Sequence, residues 1–122
     1  MADHINLTDG PIRVTVTGAQ PLDQAVEVSS YDLLDLLAGL LGVEGSTSGV
    51  GLRIITGMQR ESQNGWVEYL AFTPGTLNAP NTWQALQGTT RLLRYIRWEV
   101  TGLGGATAVT FQINGMARSY GR

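Results

Sequence analysis

Two segments set the limits on this fold: Ile12-Arg13-Val14-Thr15-Val16-Thr17 and Val109-Thr110-Phe111-Gln112-Ile113-Asn114. Both alternate apolar and polar residues at a period of two, the signature of a strand with one face buried and one face wet. Shorter runs of the same kind recur along the chain. Val26-Glu27-Val28 is one, Val50–Met58 places Val50, Leu52, Ile54 and Met58 on one face, and Leu92–Val100 sends Ile96, Trp98 and Val100 inward with Tyr95, Arg97 and Glu99 outward. Glycine separates the runs. There are 16 glycines in 122 residues, roughly twice the usual share, and they are scattered without a repeat. A chain punctuated this way is expected to build many short antiparallel strands. Val14, Val16, Ile54, Ile96, Trp98, Phe111 and Ile113 are the expected core.

The connections support that reading. Asn64-Gly65 is a strong hairpin signal between Val50–Met58 and Trp66–Thr73, and Pro74-Gly75 closes the second strand. Residues 29–43 are ambiguous. Leu33, Leu36, Leu37, Leu40 and Leu41 follow helical spacing, Ser29-x-x-Asp32 resembles a capping box, and Gly42 could end a helix. A strand buried on both faces also reads as a continuous apolar run. Gly39 is costly inside a helix and the flanking segments are β-like, so a strand is the expectation here.

Length and charge exclude several classes. A chain of 13.1 kDa buries roughly two-thirds of its unfolded surface and forms one domain. At 43% hydrophobic and 15% charged it is not a disordered composition. The net charge of -2 gives no basic field for a phosphate backbone, so no nucleic-acid partner is expected. The most apolar stretch, Leu33–Val43, is too short to span a membrane, and Met1-Ala2-Asp3-His4 does not read as a secretory signal. Without cysteine there are no disulfides or thiolate sites, and one histidine, His4, cannot supply a site that needs two.

No catalytic constellation emerges. Gly102-x-Gly104-Gly105 lacks the lysine and the helix of a phosphate loop. Asp32 and Asp35 flank the leucine run, where strand ends are the simpler reading. Asp3, His4 and Asp9 fall short of a metal ligand set. Only a carboxylate pair assembled by the fold, from Glu27, Asp32, Asp35, Glu44, Glu68 and Glu99, would support hydrolysis. The expectation is therefore no enzyme, cofactor or metal. Trp66 and Trp98 are read as core or rim packing, and Trp83, placed in a Pro/Asn-rich loop, is the one of the three tryptophans best placed to reach solvent. All eight basic residues are arginine, a side chain suited to ion pairs and interfaces, and Arg91 and Arg97 share a strand phase. Ile5 and Leu7 lie in a segment with no nearby partner strand, so residues 1–10 are expected to be an arm that docks on other proteins. Ile5, Leu7, Trp83, Arg91 and Arg97 are the expected interface residues.

Five segments in order carry a resemblance: Val28-Ser29-Ser30-Tyr31-Asp32-Leu33-Leu34-Asp35-Leu36, Ile55-Thr56-Gly57-Met58-Gln59, Gly65-Trp66-Val67, Leu93-Arg94-Tyr95-Ile96-Arg97-Trp98 and Phe111–Arg118. Over about residues 10–118 the chain resembles small β-sandwich proteins encoded among the virion structural genes of tailed bacteriophages. Its Arg-Tyr-Ile-Arg strand is also similar to discoidin (galactose-binding-like) jelly rolls. About 7–8 short strands with turn signals every 8–15 residues make an all-β antiparallel sandwich or jelly roll, with an arm over 1–10 and one domain over 11–122, and the resemblance agrees with that fold. The resemblance further implies a virion location after synthesis in the bacterial cytoplasm. The implied role is structural, as a cement or decoration protein on the capsid or a neck, tail or fibre component. The implied partners are other virion proteins, chiefly the major capsid protein, and further copies of itself. Glycan binding is the alternative.

Overall fold

In the computed structural model, which describes residues 2–119, the alternating runs become strands of two antiparallel sheets. Met1 and residues 120–122, at the outer ends of the expected arm and domain, lie outside the described residues. The strands are β1 (Ala2–Asn6), β2 (Ile12–Val14), β3 (Gly18–Ala19), β4 (Val26–Glu27), β5 (Leu33–Glu44), β6 (Gly51–Gly57), β7 (Val67–Ala71), β8 (Thr82–Gln87), β9 (Tyr95–Gly102) and β10 (Ala108–Arg118), with a short 3-10 turn at Leu22–Gln24. The first sheet runs β1-β10-β5-β8 and the second β3-β9-β6-β7. β2 lies end to end with β1 along β10, and β4 lies end to end with β3 along β9. Counted as two broken strands, these four leave eight tracks in the orders 1-8-3-6 and 2-7-4-5, the two-sheet jelly roll. Among the described residues no helix is long and apolar enough to cross a membrane.

Inward residues of both sheets fill the core as the alternation predicts. Ile54, Ile96, Trp98, Phe111 and Ile113 are all buried, and Val14 packs on the core from a half-buried position. Trp98 of β9 meets Phe111 of β10 edge to face, ring centroids 5.0 Å apart, joining the central strands of the two sheets. Such a contact adds about 0.5–1.5 kcal/mol beyond area burial. Tyr69 makes the second link. Its hydroxyl accepts the Leu34 backbone N–H at 3.0 Å, which carries a side chain of β7 onto the backbone of β5. Gly88 makes room for this, since a Cβ there would lie 1.9 Å from the Tyr69 hydroxyl.

Three expectations need correction. Val16 is 72% exposed, not buried, because the chain bends at Thr15-Val16 as it leaves one sheet for the other. Met58 is likewise exposed, one residue beyond the end of β6. The third concerns residues 1–10, which are not a free arm. β1 pairs with β10 from Ala2↔Arg118 to Asn6↔Asn114, and Ile5 and Leu7 are buried in the core. Their partner strand lies at the other end of the sequence. Removing residues 2–9 would strip a strand and two core side chains, so these residues are not a detachable docking element.

Within the segment 29–43 a strand does form, as expected, but it begins only at Leu33, and one-sided burial replaces the expected burial on both faces. Leu34, Leu36, Ala38 and Leu40 point into the core, whereas Leu33, Leu37 and Leu41 stay partly or fully open on the outside.

Phe111→Ala should cost about 3–5 kcal/mol, read as a lowered urea midpoint at unchanged slope. β1 is also tied by the Tyr31 hydroxyl, which donates to Asp3 Oδ2 at 2.6 Å. That bond holds the Tyr31 phenol pKa above its ordinary value, with burial and the Asp3 charge adding to it. A raised folded-state pKa gives stability that is complete below about pH 10 and lost as pH rises through the folded value. Stability of the native chain should therefore fall above that pH by more than in Tyr31→Phe. Superimposable curves for the two proteins from pH 8 to 12 would remove the bond from the account.

Candidate binding face

The outer surface of the first sheet collects the side chains that the core does not use. β8 contributes Trp83, Ala85 and Gln87; β5 contributes Leu33, Asp35 and Leu37; β10 contributes Asn114, Met116 and Arg118. Register sets these in rows across the strands: Trp83 beside Gly39, Ala85–Leu37–Asn114, and Gln87–Asp35–Met116. His4 of β1 completes the last row beside Met116. A shallow groove of about 830 Å³ runs over the lower rows. Trp83, Leu37 and Met116 are 44%, 37% and 42% exposed, an apolar content that solvent alone does not favour.

Gly39 decides how Trp83 lies. A Cβ at Gly39 would fall 2.2 Å from the indole ring, so the ring lies on bare backbone. One ring face packs on the sheet, covering the glycine, while the tryptophan keeps substantial exposure. The groove's charges are balanced locally: Arg118 Nε donates to Asp35 Oδ2 at 2.7 Å. Elsewhere the same economy holds. Arg13 pairs with Glu44, Arg94 with Glu27, and Arg53 with both Glu99 and Glu68. The Arg13 guanidinium holds the Glu44 carboxyl below its usual range. These pairs are surface pairs and add little to stability individually.

The expected site residues separate under this geometry. Trp83 is exposed, on a strand rather than in a loop. Arg91 is exposed in the segment before β9, beside a second hollow of about 470 Å³ with Arg94, Tyr31 and Met58. Arg97 points outward from β9 yet is only 2% exposed, so it is not available to a partner. Trp66 covers it, with the guanidinium 4.8 Å from the ring centroid, and Arg97 Nε donates to the Gln20 carbonyl at 2.7 Å. Burial lowers the pKa of this arginine, with the Glu99 charge opposing. Ile5 and Leu7 belong to the core, as described above.

Asp3 and His4 are consecutive on β1 and so project to opposite faces, which prevents them from converging on one ion. Among the described residues, no three His, Asp or Glu side chains are grouped to hold a metal. Sequence reasoning missed Leu37, Met116 and Gly39 as parts of the face. The signal was present in the leucine run, whose odd-numbered members had no second layer to cover them.

No family model matches the chain, and no curated protein matches it. In structure the chain is similar to a protein of Bacillus endospore appendages, described as a novel family of disulfide-linked pili. The TM-score is 0.41 and the identity 13%, over 98% of this chain and 92% of that one.

Gly39→Ala should displace the Trp83 ring while leaving the core intact. The expected readout is a red shift and greater quenching of tryptophan fluorescence by acrylamide, with little change in far-ultraviolet circular dichroism. An unaltered spectrum would mean that the ring does not rest on Gly39.

Proposed function

We propose that this protein is a non-enzymatic structural component of a bacteriophage particle, a capsid cement or decoration protein that binds the major capsid protein. The observation that carries this reading is the outer face of the first sheet. It combines exposed Trp83, Leu37 and Met116 with the amides of Gln87 and Asn114 and one internally balanced ion pair. Tryptophan, methionine and arginine are the residue types enriched in protein interfaces. An apolar, nearly neutral face of this kind favours burial against another protein. The pairing of Glu27, Asp35, Glu44, Glu68 and Glu99 with arginines supports the non-enzymatic half of the proposal, because acids held in this way are poorly placed for proton transfer. Two-sheet jelly rolls serve in viral capsids and in lectins, an analogy at the level of fold.

A second reading has one specific observation in its favour. Trp83 lies on Gly39 with substantial exposure, a platform on which a sugar ring could stack. In that case the protein is a carbohydrate-binding module for surface attachment.

Phage particles from the lysed host, banded in a caesium chloride gradient, should carry the chain in many copies per particle by quantitative mass spectrometry. Trp83→Ala should reduce that occupancy at least about tenfold. A chain that stays at the top of the gradient overturns the virion proposal. Saturable quenching of the native protein by an oligosaccharide, lost in Trp83→Ala, would favour the second reading instead.

A further inference from the structure

The outer edges of the two sheets are guarded unequally. β1 carries Asp3, β2 carries Arg13 behind Pro11, β4 carries Glu27 and β7 carries Glu68, while β3 is only two residues long. Charges, prolines and short lengths are the usual means of preventing sheets from joining edge to edge. β8 has none of them. It is six residues long, Thr82-Trp83-Gln84-Ala85-Leu86-Gln87, and contains no proline. The sequence from Tyr69 to Thr90 holds no charged residue at all.

The ladder fixes which backbone groups are open. Gly88 N–H donates to the Leu34 carbonyl at 3.0 Å, and the partners step back through Leu36↔Leu86, Ala38↔Gln84 and Leu40↔Thr82. Antiparallel bonding alternates, so these even-numbered residues are the ones bonded to β5. Trp83, Ala85 and Gln87 turn their N–H and C=O groups to the open side. Their side chains all stand on the outer face, where each is exposed.

We infer that β8 is the interface between two copies of this chain, pairing antiparallel with its own copy across a two-fold axis at Ala85. In that register Ala85 faces Ala85 of the second copy, Trp83 faces its Gln87, and Gln87 faces its Trp83. The pattern is self-complementary, as a two-fold interface requires, and six backbone hydrogen bonds form. The smallest side chain of the edge falls on the axis, and no like charges meet. The two first sheets then become one continuous sheet, and the grooves beside Ala85 and Gln87 join across the axis. Nothing in this pairing depends on the virion reading, and it holds equally for a carbohydrate-binding module.

The test uses the full chain in sedimentation equilibrium over a range of concentrations, with two variants. Ala85→Pro removes a donor on the open side, where proline is tolerated because β5 does not use that N–H. Ala85→Lys places two positive charges against each other on the axis. The native chain should associate to twice its 13.1 kDa mass. Each variant should weaken association at least about tenfold while melting as a folded protein. Amide exchange at Trp83, Ala85 and Gln87 should slow as the native concentration rises. A native chain that stays monomeric at millimolar concentration overturns the inference. So does a dimer that persists in both variants, or one that forms without protecting those three amides. These outcomes are separate from particle occupancy, so either proposal can fail without the other.

Discussion

The edge-to-face meeting of Trp98 and Phe111 is the contact around which this sandwich is arranged. β9 and β10 follow one another in sequence but belong to opposite sheets, each with hydrogen-bonded partners on both sides. Holding these two strands face to face fixes the separation and alignment of the sheets. Tyr69 then closes one side by giving Leu34 a hydrogen-bond partner from the opposite sheet. The outer face of the first sheet takes its rows of side chains from the register of its strands. A groove between rows of side chains on neighbouring strands is only as well defined as the strands beneath it.

The sequence was most legible where a single physical rule governs. In β9 and β10 the inward phase follows alternation without exception from Ile96 to Val100, and again at Phe111 and Ile113. It was least legible where a side chain's fate depends on something distant. Ile5 and Leu7 have no nearby strand to pair with, and their partner appears more than a hundred residues later. Arg97 occupies an outward phase, yet a loop tryptophan folds over it and removes it from solvent. Val16 keeps the alternation of a strand, but the backbone there is already crossing between sheets.

The leucine run shows a different difficulty. Its helical spacing and its strand reading compete because both faces of β5 are apolar, so the period-two signal is hidden. The second apolar face is the exposed outer surface of the sheet, where Leu37 stands together with Trp83 and Met116. What obscured the secondary structure is thus the feature that carries the functional proposal. Gly39 is the counterpart. It is unfavourable for a helix and weak in a strand, and it is explained by the indole that rests on it.

The pairing of β1 and β2 with β10 also bears on the order in which the molecule can assemble. Thr8 exchanges hydrogen bonds with Ile113 across 105 positions of sequence, among the longest-range contacts in the fold. A chain emerging from the ribosome exposes Ile5 and Leu7 about a hundred residues before the strand that covers them. The first sheet therefore closes only after residue 118 has left the exit tunnel. A contact of such separation carries a large loop-closure cost and a slow search. Throughout that interval the edge of β5 that β10 will cover is bare, a hazard of misassembly peculiar to synthesis, beside the open β8 edge that the finished chain keeps.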